Sequence, residues 1–306
     1  MDSLSLILDD IRLTGVDYLY LTTPKPWAFQ VDTSGLATFT LVLQGQCRLR
    51  LHDGEELAVE AGDLVLVRGT AFRLYDSDSD GSHPVDLNPM IQGHNSEPLI
   101  LGEGLPDILL LCGRCRFDVG LSRPLIAGLP GHIIIRGVEE HPPEWLRIGL
   151  EFLGQEVAKN RPGRHAIVNR LVGILFIECV RDYVESLPEG ASSWLRALRD
   201  PALSAALAAI HGQPGYPWTV PELAAIACLS RSAFAERFGD VLGQPPLSYL
   251  QAHRMRLAAW QLSHTEQPIC RIAEAMGYAS ETAFSQAFKR QYGSTPSRFR
   301  QAEPAA

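Results

Sequence analysis

The chain has 306 residues, 46% of them hydrophobic and 20% charged, which is too long for one ordinary domain and too apolar for a disordered one. A formal net charge of −8 excludes a uniformly basic surface, and no run of about 18 apolar residues offers a membrane span. An acidic residue follows Met1 where a secretory leader would carry basic ones, and six scattered cysteines lack framework spacing, so the expected setting is the reducing cytoplasm.

From about residue 17 to 120 the pattern is that of short strands. Apolar or alternating runs at 37–43, 47–51, 63–67 and 108–112 are separated by turns at Gln44-Gly45, Asp53-Gly54, Ala61-Gly62 and Arg68-Gly69, as in a small barrel or sandwich. Residues 76–98, rich in Asp and Pro, read as a long exposed loop. Beyond residue 142 the period changes to that of helices, with stretches at 142–159, 165–187 and 192–210. The second is apolar around much of its circumference and is expected to be buried on more than one side, either within the chain or against a second copy.

The strongest feature is a duplication. Leu223-Ala-Ala-Ile-Ala-Cys-Leu-Ser-Arg-Ser-Ala-Phe234 through Phe238, Gly243 and Pro246 returns about fifty residues later. The second copy is Ile272-Ala-Glu-Ala-Met-Gly-Tyr-Ala-Ser-Glu-Thr-Ala-Phe284 through Phe288, Gly293 and Pro296. Each copy reads as a short apolar helix, a tight turn (Cys228-Leu229 or Gly277-Tyr278), and a second helix capped by Ser230 or Ser280. Phenylalanines four apart anchor one face of that second helix. At 100° per residue, Thr282, Ser285, Gln286 and Lys289 fall about 100–200° away from Phe284, and Ser232, Ala235, Glu236 and Gly239 occupy the matching arc of the first copy. Such an exposed arc is what a helix-turn-helix presents to a major groove. A long helix over 246–263 would hold the units about one turn of DNA apart, roughly 34 Å. The charge divides accordingly. From Tyr216 onward there are 9 basic and 7 acidic residues, a balance of +2, which leaves −10 on the remainder.

Residues 204–301 resemble the AraC/XylS DNA-binding domain. The resemblance is carried by Trp218-Thr-Val-Pro-Glu-Leu-Ala224, Ser230-Arg-Ser-Ala-Phe234, Gly243-Gln-Pro-Pro246, Arg254-Met-Arg-Leu-Ala258, Gly277-Tyr278, Ala283-Phe-Ser285, Phe288-Lys-Arg290 and Gly293-Ser-Thr-Pro-Ser-Arg-Phe-Arg300. It implies base contacts from Ser232, Ala235 and Glu236 and from Glu281, Thr282, Ser285 and Gln286. Phosphate contacts fall to Lys289, Arg290 and Arg298. It also implies double-stranded promoter DNA and RNA polymerase as partners, and a bacterial activator.

The β region is similar to the cupin-like sensor half of one subgroup of that family, on Leu43-Gln-Gly-Gln-Cys47, Ala61-Gly-Asp-Leu-Val-Leu-Val67, Leu110-Leu-Cys-Gly113 and Phe117-Asp118. This similarity implies a small-molecule effector or a homodimer. No His-x-His occurs in the early strands, and Phe72 stands where metal-binding cupins usually carry a histidine. No metal, cofactor or catalytic residue is therefore expected, and a cupin-type oxygenase or isomerase is the disfavoured alternative. A third alternative is a β domain that only dimerises. His83, His94, His132 and His141 fall in expected loops and read as surface residues. Cys112-Gly-Arg-Cys115 has the spacing of a metal or redox pair, but thiols three apart on a strand point to opposite faces unless Gly113 bulges, so core thiols are expected, with redox sensing and then metal binding as the alternatives. Trp27 and Phe39 are the candidate lining of a ligand pocket, though packing accounts for them equally. The expectation is an α+β chain: a cupin-like β domain at 1–135, a helical linker or dimerisation region at 136–203, and a DNA-binding domain at 204–303 with helix-turn-helix units at about 221–242 and 268–292.

Overall fold

The structure is a computed structural model that describes residues 2–11, 15–33, 37–79, 81–91, 99–137, 144–159, 161–188 and 194–302. Its strands are β1 (Gly15–Thr23), β2 (Ala28–Val31), β3 (Ala37–Gln44), β4 (Gln46–Leu51), β5 (Glu56–Glu60), β6 (Leu64–Arg68), β7 (Phe72–Tyr75), β8 (Val85–Asp86), β9 (Leu99–Ile100), β10 (Ile108–Arg116) and β11 (His132–Ile135). Its first helices are α1 (Ser3–Ile11), α2 (Asn88–Ile91), α3 (Val119–Gly128), α4 (Glu144–Lys159) and α5 (Arg164–Ser186). A 3-10 turn (Trp194–Leu198) precedes α6 (Pro201–Gly212), α7 (Val220–Ile226), α8 (Arg231–Leu242), α9 (Pro246–His264), α10 (Ile269–Ala275), α11 (Glu281–Tyr292) and α12 (Pro296–Gln301). The fold class is α+β, as expected. The chain forms two compact units, one of Leu13–Phe117 with Leu129–Tyr183, the other of Met1–Arg12, Asp118–Gly128 and Val184–Ala306.

The first unit holds two sheets, ordered β11-β6-β3-β10-β1-β9 and β5-β4-β7-β2-β8. Alternation decides what each strand buries. Cys47, Leu49 and Leu51 of β4 point into the core while Gln46 and Arg48 face out, and Phe29, Val31, Phe72 and Leu74 meet Leu19, Leu21, Val42, Val65 and Leu110 from the larger sheet. The turns expected at Gly45, Gly54 and Gly62 connect β3 through β6 in sequence.

Of the stretch 76–98, residues 80 and 92–98 lie outside the described residues, and the remainder is not simply an exposed loop. Val85–Asp86 pairs in parallel with β2, and Leu87 and Ile91 are fully buried in the core. Composition hid these two anchors among polar neighbours. Asp76 is buried as well, because its carboxylate accepts the backbone N–H groups of Trp27 and Asp78.

In α5, Val168, Val172, Leu175, Phe176, Cys179 and Val180 are buried, yet Ile174 is 53% exposed, so the helix is not covered all round. Gly149 lets α4 approach closely, since a Cβ there would lie 2.9 Å from Leu175 Cδ2. The helical stretch expected over 192–210 is instead a 3-10 turn and a separate helix, divided where the Asp200 carboxylate caps α6 by accepting the N–H groups of Ala202 and Leu203. Among the described residues no helix is long and apolar enough to cross a membrane.

Candidate nucleic-acid interface

Each helix-turn-helix is fixed by local chemistry legible in the sequence. The hydroxyl of Thr219 accepts the Glu222 N–H at 3.4 Å while the Glu222 carboxylate accepts the Thr219 N–H at 2.9 Å, a capping box that starts α7; the Thr219 hydroxyl, donating to the same carboxylate at 2.7 Å, and then the Thr219 N–H hold the Glu222 carboxyl below its ordinary value. Ser230 Oγ accepts from Ala233 N at 3.3 Å and Ser280 Oγ from Ala283 N at 3.2 Å, which starts α8 and α11 at equivalent residues. The turns need left-handed backbone. Gly277 has φ of 77°, and a Cβ there would lie 2.3 Å from the Gly215 carbonyl oxygen. In the first copy Cys228 takes this conformation, at φ of 53°, without a glycine.

Two separate cores carry the two units. Phe234 and Phe238 pack with Leu207, Ile210, Leu223, Tyr249 and Leu250; Phe284 and Phe288 pack with Ile272, Met255, Ala258 and Leu262. The α9 helix belongs to both. On a wheel, Tyr249 and Leu250 span about 0–100° whereas Met255, Ala258 and Leu262 span about 180–240°, so its opposite faces seat the two units. That is why α9 lacks a single apolar stripe.

The outward arcs of α8 and α11 then follow. Ser232, Glu236, Glu281, Thr282, Gln286, Lys289, Arg290 and Arg298 are exposed, and Ala235 and Ser285 are half-buried. Ser232 Oγ lies 3.3 Å from Ser230 Oγ, which shortens its outward reach. Apart from half-buried Arg256, the cations divide into two sets. Arg237 is held by Asp200, Arg271 by Glu274, Arg254 donates to the carbonyls of Pro214 and Tyr216, and Arg300 donates to that of Gln267. Arg231, Lys289, Arg290 and Arg298 are exposed and in no ion pair among the described residues. Arg231 is not among the contacts expected from the sequence; it directly follows the cap Ser230, at the N-terminus of α8.

The other singled-out residues are not gathered into a site. Cys112 and Cys115 lie on opposite faces of β10, whose pairing with β1 and β3 runs regularly through Gly113. Cys112 Sγ is 3.8 Å from Thr40 Oγ1 in the core shared with Cys47, and Cys115 lies near Cys179. Burial pushes the thiols of both Cys112 and Cys115 up to about 12, so they stay protonated near neutrality. Trp27 and Phe39 do not line one pocket. Trp27 sits between the sheets, stacked on Phe29 at 5.2 Å with its Nε1 on Asp107, while the Phe39 ring occupies the other face of its sheet, filling the space a Cβ at Gly113 would need. His83 is exposed and His132 half-buried, whereas His94 and His141 lie outside the described residues. Among the described residues, no group of three metal-ligating side chains falls in the β-rich unit.

A family described as Cupin matches residues 2–185, and one described as Helix-turn-helix domain matches residues 223–302. The HTH-type transcriptional regulator AlkR of Acinetobacter baylyi is 40% identical over 305 residues, 98% of this chain and 99% of that protein. A putative AraC-like transcription regulator of Streptomyces antibioticus is 32% identical over 98% of both chains. The solved DNA-binding domain of AdpA in complex with a target DNA is 31% identical, covers 34% of this chain and 92% of that one, and has a TM-score of 0.32. Both of these full-length relatives are named as transcriptional regulators. The chain belongs to the AraC-type family of DNA-binding transcriptional regulators, with a cupin domain ahead of its helix-turn-helix domain.

Proposed function

We propose that this regulator reads two successive major grooves on one face of its operator, with α8 in one and α11 in the next, and that the β-rich unit receives an effector and pairs two copies. The observation that carries the reading is α9, which seats two separately packed helix-turn-helix units on its opposite faces and leaves both reading arcs open. Base contacts are assigned to Ser232, Ala235, Glu236, Glu281, Thr282, Ser285 and Gln286, and phosphate contacts to Arg231, Lys289, Arg290 and Arg298. RNA polymerase is the partner to be recruited at the promoter. The effector is assigned to a groove on the smaller sheet, over β2, β4 and β7. That groove, of about 480 Å³ and lined by Gln30, Arg50, Leu51, His52, Phe72 and Arg73, offers a concave polar surface with an apolar floor. For pairing, α4 and α5 expose Ile148, Phe152 and Ile174. Hydroxyl-radical footprinting on genomic fragments captured by the full-length protein tests the two-groove reading. Two protected blocks about 10 base pairs apart on one face support it, and a single block refutes it.

A further inference from the structure

One cluster in the helical unit is not used by DNA reading. Asp10 of α1, His211 in the last turn of α6 and His253 in the middle of α9 converge, with their ligand-bearing atoms all within 4.8 Å of one another. Asp10 Oδ2 is 2.5 Å from His211 Nδ1 and 3.6 Å from His253 Nε2, and the imidazole centroids are 4.1 Å apart. No short sequence spacing advertises the cluster, because His211 is 201 residues from Asp10 and 42 from His253.

Two details point to a ligand. His253 is 1% exposed, and its Nε2 has no hydrogen-bond partner although it faces the Asp10 carboxylate. A buried nitrogen left in this way is costly, and a third body between it and the carboxylate would satisfy both. The second detail is the Tyr249 hydroxyl, itself buried, 2.8 Å from His211 Nε2. With Nε2–H donating to that oxygen, the Nδ1 lone pair turns toward Asp10, which is how metal-ligating histidines are commonly oriented by an outer hydrogen bond. A cavity of about 10 Å³, bordered by Asp10, His211, Tyr249, His253 and Arg256, has room for one water-sized occupant.

We propose that Asp10, His211 and His253 form a site for a single divalent transition-metal ion of the zinc class. Two imidazoles and one carboxylate suit zinc, cobalt or nickel and disfavour magnesium and calcium, which demand oxygen ligands. Arg256 at the cavity wall repels a dication, so selection falls on ions that bond strongly to nitrogen. Binding requires the Asp10–His211 contact to open to roughly 3.3 Å, the ligand separation of a tetrahedral zinc set, by rotation of the Asp10 carboxylate. The occupied site would tie α1 and α6 to α9, the helix that carries both reading units.

The test uses full-length protein with the exposed thiols Cys228 and Cys270 replaced by serine, so that they contribute no binding. After chelator treatment the protein is titrated with Co2+, followed by visible absorption, and then with Zn2+, followed by equilibrium dialysis. The expected result is one equivalent of Co2+ per chain with ligand-field bands, displaced by Zn2+. His253→Gln and Asp10→Asn should each weaken Zn2+ binding at least about 10-fold while far-ultraviolet dichroism is unchanged. If His253→Gln fails to fold, Asp10→Asn and the parent titration decide. Binding well below one equivalent in the parent, or unchanged affinity in a folded variant, overturns the proposal. In that case the cluster is a hydrogen-bonded contact of His211 with Asp10 beside His253 and no more.

Discussion

Arg237 on the first reading helix is tied to Asp200, 2.6 Å from Nη2 to Oδ2, and the other oxygen of the same carboxylate caps α6. One side chain thus starts a helix of the first core and removes a cation from the neighbourhood of the DNA-reading face. Asp200→Ala should lower unfolding stability by about 1 kcal/mol through the lost cap. Arg237→Ala should cost less than about 1 kcal/mol, because that pair is half open to solvent. Urea denaturation of both variants checks the order, and a larger loss for Arg237→Ala would reverse the assignment.

The salt dependence of DNA binding follows from the same division of cations. With Arg231, Lys289, Arg290 and Arg298 as the exposed, unpaired set in the reading unit, one chain neutralises about four phosphates. The logarithm of its affinity should then fall with log salt at a slope of about −3.6. Replacing Lys289 by Ala should make the slope shallower by about 0.9. A slope indifferent to that change would remove Lys289 from the contacts.

The buried thiols give a pH prediction. Cys112 and Cys115 are pushed from the usual thiol value near 9 up to about 12. A folded value above the unfolded one means that their stabilising contribution is complete below about pH 9 and declines as pH rises toward 12. Cys112→Ala and Cys115→Ala should each cost about 1–2 kcal/mol, show less of that alkaline loss, and leave DNA binding equal under oxidant and reductant. An oxidant-dependent switch abolished by either variant would make these residues sensors.

Ile148, Phe152 and Ile174 test the pairing of two copies. Replacing Ile148 and Ile174 together by Asp should convert a dimer to a monomer in sedimentation analysis, with monomer stability changed by only about 0.5 kcal/mol per site, as expected for open positions. A parent protein that is already monomeric at micromolar concentration would refute this interface.

The helical unit was far more legible in the sequence than the β-rich one, and the reason is the range of the forces that fix each. The caps Ser230 and Ser280, the turn at Gly277 and the paired phenylalanines act within one or two helical turns, so their spacing encodes their structure. Leu87 and Ile91 are held by strands far away in the chain and looked like part of a polar loop. The separation of Cys112 from Cys115 could be anticipated because strand alternation is local. Phe39 could not be assigned to a face, since that depends on which strands flank β3. The Asp10–His211–His253 cluster and the Asp200–Arg237 pair likewise join distant segments and left no trace in spacing.

In the proposed reading both helices contact bases, with unequal parts. On the base-reading arc of α8 the exposed side chains are short or anionic (Ser232, Glu236), with the cation Arg231 at the helix start assigned to phosphate, whereas α11 offers Thr282 and Gln286 with Lys289 close by, able to donate, accept and neutralise. Selection of bound sequences from randomised operators by the parent, Glu236→Ala and Gln286→Ala proteins tests this directly. The parent should select two blocks about one helical turn apart. Gln286→Ala should erase most of the preference in one block at a cost of about 1–3 kcal/mol, while Glu236→Ala relaxes one position of the other and holds or improves overall affinity. Loss of all binding in Glu236→Ala, together with an unchanged preferred sequence in Gln286→Ala, would contradict it.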